Sequence, residues 1–260
     1  VLRKAPGTTP PMSATTEPRE DAPPMERVIF DLGMHCGDDT AYYLHLGYSV
    51  VAVEANPALC DQAQRRFGDA IGEGRLTIIN AAVTDAPGDV AFYLSSGNDQ
   101  WSSTDRNWAG RNASTTTAIR VPGISLSRLL REFGTPHYIK IDIEGADLLA
   151  LEQLERSGAR PDFISVEDCR FGFEYVERLR ASGYTRFQLS DQSTIAGRAD
   201  ETGFRFSASN SGPFGEALPA AWLGSEAFLA HYTALVRDRE TRLKHARHGD
   251  TVWWDIHARR

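Results

Sequence analysis

Val28-Ile29-Phe30-Asp31-Leu32-Gly33-Met34-His35-Cys36-Gly37 is an apolar run that ends on an acid and then passes through two glycines. The run reads as a buried strand, Val28 to Phe30, ending at Asp31. The glycines allow a tight turn and a close approach of backbone to ligand. Thr40 to Leu46 continues as a helix closed by Gly47, with Asp38 and Asp39 as its capping residues. Free N–H groups at such a helix start can hold an anionic group. The spacing is G-x-x-x-G, not the G-x-G-x-x-G of dinucleotide binders.

Outward from this unit, strand and helix signals alternate. Tyr48 to Val53 reads as a strand ending at Glu54, and Pro57 opens a helix that runs to Phe67. Leu76 to Ile79, His137 to Ile141, Phe163 to Val166 and Thr185 to Leu189 read as strands. Leu126 to Phe133, Asp147 to Leu154 and Glu174 to Ala181 read as helices. Val90 to Leu94 and Ala118 to Val121 are short strands around a polar loop. This order predicts an α/β fold, a mostly parallel sheet with helices on both faces. Val1 to about Glu26, rich in Pro, Thr and charge, is expected to be a disordered tail. Residues 27–260 are expected to form one domain, with a C-terminal extension at about 191–250. Within it, Phe204 to Pro219 reads as a loop and Ser225 to Arg247 as a long helix. Thr251 to His257 reads as the last strand.

The totals restrict function. Lys and Arg number 28 against 35 Asp and Glu, a formal charge of -7. This argues against a nucleic-acid partner, which needs a basic stripe. No apolar run is long enough to span a bilayer, so no membrane partner is expected. The three cysteines, Cys36, Cys60 and Cys169, form no CxxC pair. With no apolar signal core at the N-terminus, a reducing cytoplasm is the simplest location. A homodimer is among the assemblies expected.

Two further elements carry chemistry. Glu54, about 20 residues beyond the glycine turn, stands where a strand-end acid accepts hydrogen bonds from both ribose hydroxyls. Together, turn and acid indicate a nucleoside cofactor without separating S-adenosylmethionine (SAM) from NAD. Lys140-Ile141-Asp142-Ile143-Glu144-Gly145 ends another strand, so Asp142 and Glu144 face the ligand crevice. Lys140, on the same strand face as Asp142, needs a partner; Asp31 and Glu167 are the natural ones.

These segments resemble the FkbM family of SAM-dependent methyltransferases. The likeness rests on Asp31 to Thr40, Val53-Glu54-Ala55-Asn56-Pro57, and Ile139 to Ala146, supported by Asn80 to Val83 and Gly88 to Tyr93. It implies a class I methyltransferase, Rossmann-like fold whose last strand is antiparallel. It implies SAM as cofactor, bound by Asp31, Gly33, His35, Gly37, Thr40, Glu54, Ala55, Asn80, Ala82 and Asp142. It also implies O-methylation of a natural product, sugar or glycan. Met34, His35 and Cys36 replace the smaller residues usual in the turn, and Ala55 stands where proline is common.

A hydroxyl is a poor nucleophile while protonated, so a general base helps. Asp142 and Glu144 are the first choices, with Glu167, Asp168 and His35 also near the crevice. Trp101, Ser103 and Glu167 are the expected acceptor contacts. Asp142, Glu144, Glu167 and Asp168 form an oxygen-rich set that could suit magnesium, but strand-end acids are common without metal and none is assigned. An antiparallel last strand from Thr251 carries His257 about 20 Å from its start. Asp255 and His257 are therefore read as structural. An NAD-dependent oxidoreductase and a non-catalytic nucleoside-binding module are the alternatives.

Overall fold

The computed structural model describes residues 28–246 and 252–260; the expectation for the N-terminal tail lies outside these residues. Eleven strands and eight α-helices are named in chain order. They run β1 (Val28–Leu32), α1 (Asp38–His45), β2 (Ser49–Glu54), α2 (Pro57–Arg66), α3 (Gly68–Gly72) and β3 (Leu76–Asn80). Next come β4 (Ala82–Val83), β5 (Asp89–Ser95), α4 (Arg106–Ala109), β6 (Thr116–Ile124), α5 (Leu126–Phe133) and β7 (Tyr138–Ile141). The chain closes with α6 (Asp147–Ser157), β8 (Phe163–Glu167), α7 (Gly172–Ala181), β9 (Arg186–Asp191), β10 (Leu223–Gly224), α8 (Ser225–Leu235) and β11 (Trp254–Arg259).

The main sheet has the order β10-β9-β11-β8-β7-β1-β2-β3. β1 pairs in parallel with both β2 and β7, and β7 with β8. β11 is inserted antiparallel between β8 and β9. This is the class I methyltransferase arrangement with its antiparallel last strand. The chain leaves β1 toward β2 on one side and reaches β7 on the other, so a crevice opens at the strand ends between them. β5 and β6 form an antiparallel hairpin that joins β4 in a separate small sheet.

Alternation along each strand divides the sheet into two unlike faces. Phe30, Leu32, Val51, Ile139, Ile141, Ile164, Val166 and Ile256 point to one face and pack against α5, α6, α7 and α8. Ile29, Val50, Ala52 and Tyr138 point to the other, under α1, α2, α3 and the extension residues Ile195, Phe206 and Phe214. Phe214 stacks on Tyr138 with centroids 4.2 Å apart. The second face also carries Asp31, Lys140, Ser165, Gln188, Asp255 and His257, all buried. A polar row therefore crosses the sheet beneath the extension.

Two sequence expectations change. α8 stops at Leu235, not near Arg247. Asp238 Oδ1 accepts from the N–H groups of Glu240 and Thr241, a local turn that competes with helix. Arg237 meanwhile turns inward to Asp168, 2.9 Å away. α1 is capped by Gly37 in the left-handed region, not by a side chain. Asp38 instead pairs with Arg66 at 2.6 Å. Among the described residues, no helix is long and apolar enough to cross a membrane.

The Arg237–Asp168 pair is almost fully buried and is joined by Tyr232 Oη, which donates to Asp168 at 2.8 Å. Removing one partner of such a pair strands the other without compensation. Arg237→Ala is expected to cost about 3–5 kcal/mol, read as a lowered urea midpoint. An unchanged midpoint would show that the pair does not hold the C-terminal segment.

Candidate active site

A cavity of about 600 Å³ opens at the C-terminal ends of β1, β2, β7 and β8, a size suited to a small ligand. Its first wall is the glycine turn. Gly33 has φ 90°, and a Cβ there would sit 1.7 Å from the Asp142 carbonyl oxygen. The turn and the β7 end thus close on each other only because residue 33 lacks a side chain. Glu54 ends β2 on the same wall. Its Oε1 accepts from Asn56 N at 2.7 Å and its Oε2 from His35 N at 2.9 Å. Each oxygen keeps a lone pair for a further donor. Burial raises its pKa, opposed by these N–H donors. Ala55, Leu59, Ala81, Ala82, Val83 and Phe92 line an apolar slot beside it.

Several expected cofactor residues lie behind this wall. Asp31 is fully buried and accepts from Thr40 Oγ1 at 2.6 Å, so this pair braces the turn from below. Gly37 packs under Phe67 as the α1 cap. Asn80 Nδ2 donates to the carbonyls of Glu54 and Ala55 and so holds the β2 end. Gly33, His35, Glu54, Ala55, Ala82 and Asp142 line the cavity itself.

At the center lies Lys140. Its Nζ is 3.2 Å from Asp142, 3.3 Å from Asp39 and 3.9 Å from Asp31. Of the two partners read from the sequence, Asp31 is present at the longest distance; Asp39 and Asp142 displace Glu167. Burial works against the ammonium, but the surrounding carboxylates outweigh it and hold the pKa well above the usual lysine range. Burial would raise Asp142, yet Lys140 wins and holds it low. Glu167 is driven well up by burial and by the charges of Asp142 and Glu144. Asp255 is driven up by burial and then by Asp142. Charge is therefore favored on Asp142, while Glu167 and Asp255 are biased toward their neutral forms.

Asp255 corrects the displacement argument. β11 begins at Trp254 rather than Thr251, so Asp255 sits at its crevice end opposite Glu167 and lines the cavity. His257 lies two residues deeper, buried, with its pKa pushed down to about 3.

Glu144 stands opposite the glycine turn. Trp108 Nε1 donates to its Oε2 at 2.7 Å, and Arg111 Nη2 donates to both oxygens at 2.9 Å. Burial and the Asp142 charge push its pKa up to about 7, against the pull of Arg111. Its φ of 47° is unusual for a non-glycine residue. Two groups fix that conformation: Ser103 Oγ donates to the Glu144 carbonyl at 2.6 Å, and Asp147 accepts from the N–H groups of Ile143 and Gly145. Ser103, expected as an acceptor contact, is fully buried in this supporting role. Trp101 does line the cavity, with Arg111 between it and Trp108 at 4.8 and 4.3 Å from the two rings.

Sequence reasoning missed Asp39 as more than a cap: it accepts from Ser211 N, Ser211 Oγ and Asn210 Nδ2. It also missed Arg111 and Arg237, whose acid partners are remote in sequence, and Asp147 and Lys244. Among the described residues, no group of three His, Cys, Asp or Glu side chains is arranged to hold a metal ion.

The sheet order, with β11 antiparallel between β8 and β9, is that of the class I methyltransferase fold. The family model described as "Methyltransferase FkbM domain" matches residues 31–192, more than half of the chain, and the chain belongs to this family of methyltransferases. Its cofactor is SAM. The site residues suit it: Glu54 for the ribose, the apolar slot for adenine, and an acid-rich wall for a sulfonium. Among solved structures, the chain is similar to the FkbM methyltransferase of Methylobacillus flagellatus KT, at 16% identity and TM-score 0.41. That match covers 64% of this chain and 40% of that one. It is also similar to a precorrin-6y C5,15-methyltransferase of Geobacter metallireducens GS-15, with 12% identity, 90% and 78% coverage and TM-score 0.40. A third is the 1,6-didemethyltoxoflavin-N1-methyltransferase of Burkholderia thailandensis, with 13% identity, 90% and 70% coverage and TM-score 0.38. The chain spans less than half the length of the M. flagellatus protein. No curated protein matches it.

Glu54→Ala removes an acceptor that no neighboring side chain replaces. Calorimetric titration with S-adenosylhomocysteine should show affinity about 10- to 100-fold weaker, the loss of hydrogen bonds to a charged group. Unchanged affinity would remove Glu54 from the cofactor site.

Proposed function

We propose that the protein methylates a hydroxyl on a small-molecule natural product, a sugar or a glycan, with Glu144 as general base. The observation that carries this reading is the state of Glu144. It is a cavity-wall carboxyl with a pKa of about 7, held by Trp108 and by the Arg111 that stacks on both tryptophans. A base of this kind is matched to drawing a proton from a hydroxyl at physiological pH. An ionised carboxylate offers about four lone-pair sites. Trp108 and Arg111 fill three at Glu144, which leaves one on Oε1 for an acceptor hydroxyl.

When bound, SAM supplies a methyl group on a sulfonium, and its departure leaves a neutral thioether. The chain therefore has no leaving anion to stabilise. Its work is alignment, worth up to about 10 kcal/mol for well-oriented reactants. Arg111 and Ser103 fix Glu144. Asp142, its charge favored by Lys140, presents negative charge to the cationic center and, after burial, helps raise Glu144 to about 7. Glu167, biased toward its neutral form and hydrogen-bonded to Asp142, steadies that charge on the cavity wall. Trp101, with Asn98, Gln100 and Asn112 beside it on the cavity wall, gives an aromatic face edged by amides. Such a surface suits the C–H face and hydroxyls of a sugar or polyketide.

The reading is tested with isotope-labelled SAM and a panel of sugars, hydroxylated natural products and matched amines. The expected product is a labelled methyl ether; label on nitrogen or carbon alone would replace O-methylation with another chemistry. With an acceptor in hand, Glu144→Gln should lower kcat about 100- to 10,000-fold and leave S-adenosylhomocysteine affinity intact. Because the base acts only when ionised, wild-type kcat should rise with pH and level off above about 7. An acid limb that persists in Glu144→Gln would assign the proton transfer elsewhere.

A further inference from the structure

Among the described residues, five cationic side chains line the cavity: His35, Arg111, Lys140, Arg237 and Lys244. Four have an acid within reach. His35 lies 3.2 Å from Asp99, Arg111 2.9 Å from Glu144, Lys140 3.2 Å from Asp142, and Arg237 2.9 Å from Asp168. Lys244 has no such partner among the described residues. It is half-buried, and its place is fixed: the chain reverses after α8, Asp238 N donates to Leu243 O, and Lys244 bridges Arg237 across the turn. Arg237 spends four of its five N–H donors on Asp168, the carbonyls of Asp168 and Cys169, and Arg242 O. One Nη1 donor is left without an acceptor among the described residues, and Arg237 and Lys244 both line the cavity. A half-buried ammonium in a cavity calls for an anion, and among the described residues no carboxylate lies within ion-pair distance of it.

We infer that Lys244, with Arg237 beside it, binds an anionic group of the acceptor: a carboxylate, phosphate or sulfate. The inference rests on the proposed reading that the cavity holds the acceptor against Glu144, and it extends that acceptor to Lys244 on the same cavity wall. Asp168, on which the Lys244 charge acts, follows β8, and β8 is two strands from β1. That is a lateral distance of about 10 Å from the cofactor turn, which separates an acceptor anion from the carboxylate of SAM itself.

The test uses protein loaded with S-adenosylhomocysteine and titrated with inorganic phosphate at constant ionic strength. Saturable binding is expected, weakened tenfold or more in Lys244→Gln and kept in Lys244→Arg, with S-adenosylhomocysteine affinity within twofold throughout. In the labelled-SAM assay, galacturonic acid should be favored over galactose through a lower KM, and Lys244→Gln should erase the preference. Phosphate bound equally by Lys244→Gln, an adventitious ion only, overturns the site. A tenfold loss of S-adenosylhomocysteine affinity in Lys244→Gln also overturns it, since the lysine would then clamp the cofactor. Anion binding that follows Lys244 while label appears on nitrogen upholds the site and defeats O-methylation instead.

Discussion

The Lys140 ammonium, buried among the carboxylates of Asp31, Asp39 and Asp142, is the constraint around which the site is arranged. A charge at that depth is tolerated only with close partners and good geometry. Each partner comes from a different element. Asp31 ends β1 and braces Thr40, Asp39 sits in the first turn of α1, and Asp142 follows β7. The lysine therefore pins the two strands that flank the crevice and the helix that opens from it. Asp39 extends the same network to Asn210 and Ser211, so the C-terminal extension is fastened to the cofactor turn by the cluster that fixes the strand ends.

The ordering of charge across the crevice follows from that one cation. It can neutralise only part of the acid around it. Asp142, nearest at 3.2 Å, stays ionised, and the acids further along the strand ends feel its charge without a cation of their own. Burial and that charge push Glu167 and Asp255 up, toward their neutral forms. Glu144 is the intermediate case: it feels Asp142 but holds Arg111, and it comes to rest near neutrality. The differences among these acids thus come from burial first, and then from how close each stands to Asp142, Lys140 and Arg111.

How much of this was legible in the sequence depended on range. The strand–turn–helix around Gly33 was readable because only glycine fits a positive φ against the Asp142 carbonyl. The position of Asp142 beyond β7 followed from alternation and the strand-end rule. The antiparallel last strand came from the family likeness, but its first residue was misplaced, and that moved Asp255 out of the cavity. Asp39 read as a helix cap because its partners are some 170 residues away. The long helix continued to Arg247 on apolar spacing alone, since nothing local announces that Arg237 must reach Asp168. Ser103 looked like an acceptor contact for the same reason: its partner is the Glu144 carbonyl, 41 residues on.

The bulky Met34-His35-Cys36 turn shows how such long-range contacts change what local size implies. By volume alone, these residues crowd a cofactor turn. Met34 is instead absorbed into the second-face core, and Cys36 presents its carbonyl to Arg66 at 2.9 Å. His35 takes the left-handed conformation, φ 51°, which aims its N–H at Glu54. The same conformation sends its ring toward Asp99, in the loop between β5 and β6 that also supplies Trp101, Trp108 and Arg111. Strain at one residue thus serves two contacts, one to the acid that would hold the ribose and one to the loop that carries the aromatic wall. Smaller residues in the turn would keep the first contact and lose the second. The bulk is therefore a mechanical link between the two halves of the cavity, made where the sequence alone suggested an obstruction.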